Sequence, residues 1–418
     1  MSNWPAVPLR EVLSLDLCKE PIDSYKTYEM VGVLSYGRGL FRRPAVENGQ
    51  TSYSHMLRLK AEHVVMSQLF GWEGALALSS AEFDGAYLSP NFPTFLVDEK
   101  RIDRKFLGWV MQWPSFWDDL GSRAKGMGDR RRTLNPEALF QSTIPLAPLP
   151  EQRAIVAKLD ELSEKTNQLN AHLEAIEADA DALLRSHMFG ERADGYIKRK
   201  MSELVSLRST DVAVESTREY RFAGVYSFGR GVFASAVKSG SDFAYERLST
   251  VKAGDFTYPK LMAWEGALGI VPLECNGMVV SPEFPVFTVN TESVLPEVLD
   301  IYFRTPSVWS ELAALSGGTN LRRRRLQPSD FLEYKMSVPP MPVQTKLRDL
   351  KVSIAALKAK HAAIRQSNTA LVPATLERIF GEHRMPAAQP SRTTDGFPQA
   401  LDGKVNRRRG RQGAILGA

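Results

Sequence analysis

The chain has 418 residues, 43% of them apolar, a formal net charge of +5 and only two cysteines. That length implies about two or three domains, and Cys18 and Cys275 alone exclude a disulfide framework or a cysteine-rich zinc site, so a reducing, intracellular setting is expected. No apolar run reaches the roughly 18 residues of a membrane span, and Met1-Ser2-Asn3-Trp4-Pro5 does not read as a signal peptide.

Residues 1–150 read as a mixed α/β domain. Apolar runs at 30–34, 75–78 and 95–97 predict short strands punctuated by Gly and Pro. Phe106 to Met111 and Phe116 to Leu120 predict a helical hairpin, and Pro145, Pro148 and Pro150 stop the domain. A helix is predicted over 151–190. Its apolar positions Ile155, Leu159, Leu162, Thr166, Leu169, Leu173, Ile176, Ala180 and Leu183 alternate spacings of 4 and 3, a heptad seam. About 36 residues at about 1.5 Å each make a rod of roughly 54 Å. A second mixed domain is predicted over 191–342 and a second heptad helix over 343–382, with Val343, Leu347, Leu350, Ile354, Leu357, His361, Ile364, Asn368 and Leu371 on its seam. Pro373 is expected to interrupt that helix, and His361 and Asn368 to specify its register. Two rods of matching length most simply pair with each other, antiparallel, or alternatively between two chains. Residues 383–418 carry seven Lys/Arg against two Asp, so they hold the net charge and leave the rest formally neutral; they are expected to be a basic, disordered tail.

The chain contains itself twice. Val31-Gly32-Val33-Leu34-Ser35-Tyr36-Gly37-Arg38-Gly39-Leu40-Phe41 returns as Ala223-Gly224-Val225-Tyr226-Ser227-Phe228-Gly229-Arg230-Gly231-Val232-Phe233. Trp72-Glu73-Gly74-Ala75 returns as Trp264-Glu265-Gly266-Ala267, and Ser89-Pro90 with Phe92-Pro93 as Ser281-Pro282 with Phe284-Pro285. The offset is 192 throughout (Gly32 to Gly224), and still holds at Gln152 and Gln344. A unit this long is a whole domain with its helix, not a solenoid repeat. The fold class expected is therefore α+β, two homologous mixed domains in tandem, each followed by a long heptad helix.

Catalytic signatures are missing. No phosphate-binding Gly-x-x-x-x-Gly-Lys-Ser/Thr, no helix-opening Gly-x-Gly-x-x-Gly and no amino-methyltransferase Asp/Asn-Pro-Pro-Tyr/Phe occurs, and the six histidines include no His-x-x-x-His. Glu73 and Glu265 recur without a nucleophile or second acid beside them. No catalytic residue, metal ligand or cofactor site is assigned.

Three recurring elements suit DNA. Arg38 and Arg230 each stand between two glycines, where a tight turn lets the backbone approach a partner and the guanidinium reach a guanine edge or a phosphate. Arg130, Arg131 and Arg132 recur as Arg322, Arg323, Arg324 and Arg325, with Asn320 before the second cluster; so many adjacent arginines in a neutral domain make a local phosphate patch rather than a merely solvated run. Four residues before the repeated tryptophans stand Gln68 and Lys260: glutamine suits adenine and lysine suits guanine, so the two copies can read different bases. Trp72 and Trp264 themselves are expected in the core.

These blocks resemble the specificity (S) subunit of Type I restriction-modification enzymes, over nearly everything to Glu382. The most specific pieces are the junction Pro145-Leu146-Ala147-Pro148-Leu149-Pro150-Glu151-Gln152-Arg153-Ala154-Ile155-Val156, the helix ending Phe189-Gly190-Glu191, and the Gly-Arg-Gly-x-Phe, Trp-Glu-Gly-Ala, Ser-Pro-x-Phe-Pro and arginine blocks. The second junction departs: Pro339-Pro340-Met341-Pro342-Val343-Gln344-Thr345-Lys346 lacks Glu-Gln-Arg. The resemblance implies two target recognition domains, each gripping half of a bipartite double-stranded DNA site, with the paired helices setting the gap and docking two methyltransferase (M) subunits. S-adenosylmethionine, ATP and Mg would be bound by partners, including motor-nuclease (R) subunits, and not by this chain, which would be non-catalytic and DNA-associated in a bacterial or archaeal cytoplasm. The related copies imply half-sites that resemble one another in inverted orientation. A modification-only complex, another phage-defence assembly and a coiled-coil scaffold without base readout stay open as alternatives.

Overall fold

Strand order and hydrogen-bond register repeat along the chain as the sequence does. In the computed structural model, residues 4–23, 25–47, 51–126, 132–189, 195–317 and 324–383 are described. Arg130, Arg131, Asn320, Arg322, Arg323 and the tail from residue 384 lie outside them. The chain divides into two compact units, Met1–Gln152 with the segment from Glu377, and Arg153–Leu376.

In the first unit, Leu13–Leu15, Thr94–Val97, Val64–Met66 and Leu76–Leu78 lie side by side in that order as one sheet. Lys19–Pro21, His55–Arg58 and Tyr87–Leu88 form a second sheet, and Val31–Val33 pairs with Leu40–Arg42 as a hairpin. Between them lies a core of Val31, Val33, Leu57, Leu59, Val65, Ala77 and Leu88. Helices Arg104–Val110 and Pro114–Arg123 follow. The Asp103 carboxylate accepts from the Lys105 and Phe106 amides, which starts the first; Pro114 at the first position starts the second. The first helix buries Phe106, Leu107, Trp109 and Val110. A π-helical turn, Glu377–Gly381, packs here too: Phe380 is fully buried edge-on against Phe106, and Glu377 accepts from the Trp113 indole at 2.6 Å.

The second unit repeats these elements 192 residues later. Val205–Leu207, Val286–Val289, Phe256–Thr257 and Gly269–Ile270 form its four-stranded sheet, and Pro296–Phe303 and Pro306–Leu315 its helical hairpin. One element differs: its hairpin strands are Glu219–Tyr226 and Gly231–Ser239, 8 and 9 residues against 3 and 3 in the first copy. They join Val212–Ala213, Arg247–Thr250 and Val279–Val280 in a five-stranded sheet, where the first copy has a separate hairpin.

The repeated glutamines explain themselves. Gln152, fully buried, accepts from the Asp103 amide at 2.7 Å and donates to the carbonyls of Ala147 and Arg101. Gln344 does the same with Leu295, Pro339 and Ser293. One side chain thus satisfies three backbone groups where the helical hairpin begins and the long helix starts.

The long helices run Leu149–Phe189 and Met341–Leu376. The second passes Pro373 without a break, contrary to the sequence expectation. Proline removes one ladder hydrogen bond, and the helix continues into the π-helical turn. Within the second unit, Lys358 donates to Asp181 at 2.7 Å, His361 and Arg365 meet Glu177 at 2.9 Å, and Asn368 donates to the Thr166 carbonyl and to Asn170. Partner numbers fall along one helix as they rise along the other. The heptad seam is buried on one column of each helix only. Leu159 and Leu173 are buried, as are Leu347, Ile354, His361 and Asn368, whereas Leu169, Ile176, Leu183, Ile364 and Leu371 are exposed.

Candidate nucleic-acid interface

The Gly-Arg-Gly and Trp-Glu-Gly blocks, far apart in sequence, form one structure. Tyr36 has φ 63° and Gly37 φ 62°, both left-handed. This conformation is costly for tyrosine, and it turns two amides outward: Tyr36 donates to the Glu73 carbonyl at 2.9 Å and Gly37 to the Gly74 carbonyl at 3.0 Å. The second copy reproduces every term. Phe228 has φ 63°, and Phe228 and Gly229 donate to Glu265 and Gly266 at 2.8 and 3.0 Å. Ser35 and Ser227 hydroxyls donate to the Glu73 and Glu265 carboxylates. That gives the recurring acids a structural task.

Glycine is required where these turns meet the helical hairpin. At Gly74, φ is 75° and an added Cβ would lie 2.5 Å from the Trp117 indole; at Gly266, φ is 77° and the distance to Trp309 is 2.4 Å. Trp117 and Trp309 are held in turn by donating to the carbonyls of Met111 and Phe303. Trp72 and Trp264, expected in the core, are instead half-buried. Each donates to a carbonyl three residues back, Leu69 or Leu261, and closes its own turn.

This frame presents both predicted arginines at the surface. Arg38 and Arg230 donate through Nε to the carbonyls of Ser35 and Ser227, which leaves their terminal nitrogens outward. Arg230 lies 4.7 Å over the Tyr226 ring, which stacks on Phe233 at 3.8 Å, so its guanidinium is held in a column. Arg38 lies 5.9 Å over Tyr36, which meets Trp117 edge-on at 5.8 Å rather than stacking on it. Tyr36, Phe70 and Phe228 are exposed beside them.

Gln68 and Lys260 join the same surface. The Gln68 amide donates to the Asn91 carbonyl and its own carbonyl accepts from Leu134; Lys260 does the same with Glu283 and Leu326. Each therefore lies between the Ser-Pro-x-Phe-Pro loop and the segment that follows the arginine cluster. Of that cluster, Arg132 stands 5.4 Å over the Trp72 ring. Arg324 is half-buried, and Arg325 pairs with Glu283 at 3.0 Å. Paired backbone bonds Lys125–Thr133 and Gly317–Arg325 close the arginine loops. Sequence reasoning missed Asn91 and Glu283. They are the variable position inside Ser-Pro-x-Phe-Pro, and the change of charge at the 192 offset was the available signal.

In the second unit, the Gly-Arg-Gly turn also borders a cavity of about 490 Å³ reaching Asp300, Arg304 and Lys351. Asp300 is 2% exposed and takes Lys351 at 2.5 Å and Arg304 at 2.7 Å on one oxygen. Burial alone would raise its carboxyl, but the two cations hold it below the ordinary value. Among the described residues no group of three His, Cys, Asp or Glu gathers to hold a metal, and no helix is long and apolar enough to cross a membrane.

No protein-family model and no curated protein matches the chain. Solved structures do. A chain of a type I R-M system, from work on its complex assembly and conformational transition, aligns at 17% identity over 90% of this chain and 97% of its own, with a TM-score of 0.64. The HsdS subunit from Thermoanaerobacter tengcongensis aligns at 17% identity over 91% and 97%, with a TM-score of 0.48. The Type I S subunit from M. genitalium aligns at 13% over 90% and 96%, with a TM-score of 0.42. The mixed α+β body with its two long helices thus shares the fold of that type I R-M system chain.

Proposed function

We propose that this chain is the non-catalytic DNA-specificity subunit of a Type I restriction-modification complex, its two mixed domains serving as target recognition domains for the halves of a bipartite site. The observation that carries this reading is the duplicated turn pair. Two copies of one strained frame each hold an exposed arginine over an exposed aromatic ring, Arg38 over Tyr36 and Arg230 over Tyr226. Strain of this kind persists where surrounding structure over-determines it, and functional sites are where it clusters. Guanidinium groups with free terminal nitrogens can take guanine edges or phosphates.

The long helices pair as an antiparallel coiled coil in this reading, supported by the ion pairs and hydrogen bonds from Thr166 to Asp181. The pair sets the gap between half-sites. Half-sites about one helical turn apart, roughly 34–36 Å, suit rods of this length. In an antiparallel pair centred on the buried columns, the remaining columns of both helices fall on the same side. Leu169, Ile176, Leu183, Ile364 and Leu371 then make an apolar stripe suited to helices of two methyltransferase subunits. S-adenosylmethionine, ATP and Mg belong to the partners.

The test is adenine-methylation mapping after co-expression with the cognate methyltransferase subunit in a methylation-free host. A bipartite motif with a fixed gap, present only with this chain, is expected. Methylation indifferent to this chain would replace the reading with a scaffold lacking base readout.

A further inference from the structure

The same backbone cradle carries different side chains in the two copies. Gln68, Asn91 and Thr133 in the first stand where Lys260, Glu283 and Arg325 stand in the second. The equivalence is structural as well as numerical. In both copies, residue 68 or 260 is bonded through its amide to the carbonyl of 91 or 283; its own carbonyl accepts from the residue after 133 or 325. Neither bond involves a side chain, so the frame is independent of what it carries.

The second copy's trio is charged and internally ordered. Glu283 holds one terminal nitrogen of Arg325, at 3.0 and 3.2 Å from its two oxygens, and Lys260 gives one N–H to the Pro282 carbonyl at 3.0 Å. Among the described residues no bond takes the other terminal nitrogen of Arg325 or the two remaining N–H groups of Lys260. Cationic donors side by side match the two acceptors, O6 and N7, that guanine presents in the major groove. The first copy's trio is neutral. The Asn91 side-chain nitrogen reaches the Tyr53 hydroxyl at 3.4 Å, and among the described residues no hydrogen bond ties the Gln68 side-chain amide. Side-chain amides carry a donor and an acceptor together, as adenine does at N6 and N7.

Resting on the DNA-specificity reading above, we infer that these trios are the elements through which the two half-sites are told apart. The Lys260–Glu283–Arg325 trio selects a G·C pair at the position where the Gln68–Asn91–Thr133 trio selects A·T. Lys260 and Arg325 touch the base, and Glu283 is a positioning residue for Arg325.

The experiment is methylation mapping of the intact complex carrying the triple exchange Gln68→Lys, Asn91→Glu and Thr133→Arg, and, separately, the reverse triple at 260, 283 and 325. Each is expected to convert one or two adjacent base pairs of its own half-site, with a change of preference of about 10-fold to 100-fold, and to leave the other half unchanged. Wild-type motifs from both triples at wild-type rates would overturn the inference. The wild-type motif decides even if a triple fails to fold: with no position at which one half carries G·C and the other A·T, the inference is wrong. Absence of any motif dependent on the wild-type chain would instead remove the underlying function.

Discussion

The first and second copies share a skeleton and differ in what it carries, and the line between the two is physical. Where backbone must approach backbone or an indole, the copies share one conformation: Gly37 and Gly229, Gly74 and Gly266, the left-handed Tyr36 and Phe228. Several exposed side chains and several that meet a long helix diverge, although Arg38 and Arg230, and Gln152 and Gln344, do not. The second copy has a hairpin nearly three times as long, a stacked Tyr226–Phe233 pair under its arginine, and a charged trio in place of a neutral one. It also has Asp300 with Arg304 and Lys351, where the first copy has Gly108, Gln112 and Leu159. The positions fixed by sterics thus recur between the copies, while several of the side chains around them do not.

The sharpest way to break that comparison is at the shared glycines. Gly74→Ala and Gly266→Ala each add left-handed strain and force a methyl into an indole, and each should cost about 3 kcal/mol. Denaturant unfolding should place each loss in the unit that holds the residue. A cost in one copy only would show that the frames are not equivalent. The next test concerns an interaction the first copy lacks. Asp300→Ala removes a buried carboxylate from two cations that remain partly exposed, so a loss of about 2 kcal/mol is expected rather than the full cost of breaking a buried pair. Chemical denaturation would measure it, and no loss would show that solvent already satisfies both cations.

The arginines come third. Arg230→Ala should lower affinity for cognate DNA by about 2 kcal/mol and Arg38→Ala by about 1 kcal/mol, because only Arg230 is held on a stacked pair. Titration of the complex with cognate and altered duplexes would separate base from phosphate contact: a loss equal for all sequences means phosphate. The smallest effect is pH. The hydrogen bond from Arg365, with His361 beside it, holds the Glu177 carboxyl below its ordinary 4.5. A depressed carboxyl contributes stability that is complete above 4.5 and drains away as pH falls through the lowered value. The difference in melting temperature between wild type and Glu177→Gln should therefore shrink in that acid range. An unchanged difference would mean that the ion pair contributes nothing.

Much of the architecture was legible because it rests on local chemistry. Heptad spacing announced both long helices, alternating and punctuated apolar runs announced the strands, and the 192-residue offset announced the duplication. Pro373 misled, since a proline's cost is one the helix absorbs when its ends are held by packing such as that of Phe380. Trp72 and Trp264 misled because size favours burial, whereas their indoles close turns at the surface. The candidate surface was legible in part: Arg38 and Arg230 stood out by recurrence and Gln68 and Lys260 by their place before the repeated tryptophans, whereas the change of charge from Asn91 to Glu283 gains meaning only once the backbone bonds bring those positions beside Gln68 and Lys260.

Composition, spacing and internal repetition by themselves determined that this protein is two versions of one α+β unit with two heptad rods. Each of those features is a short-range pattern of apolar residues, glycines and prolines. Only the tertiary structure decided that one heptad column is buried and the other exposed, that the Gly-Arg-Gly and Trp-Glu-Gly turns are a single frame, and that residues 68, 91 and 133 share a surface. Those facts depend on long-range hydrogen bonds and on which faces meet, which no local pattern encodes.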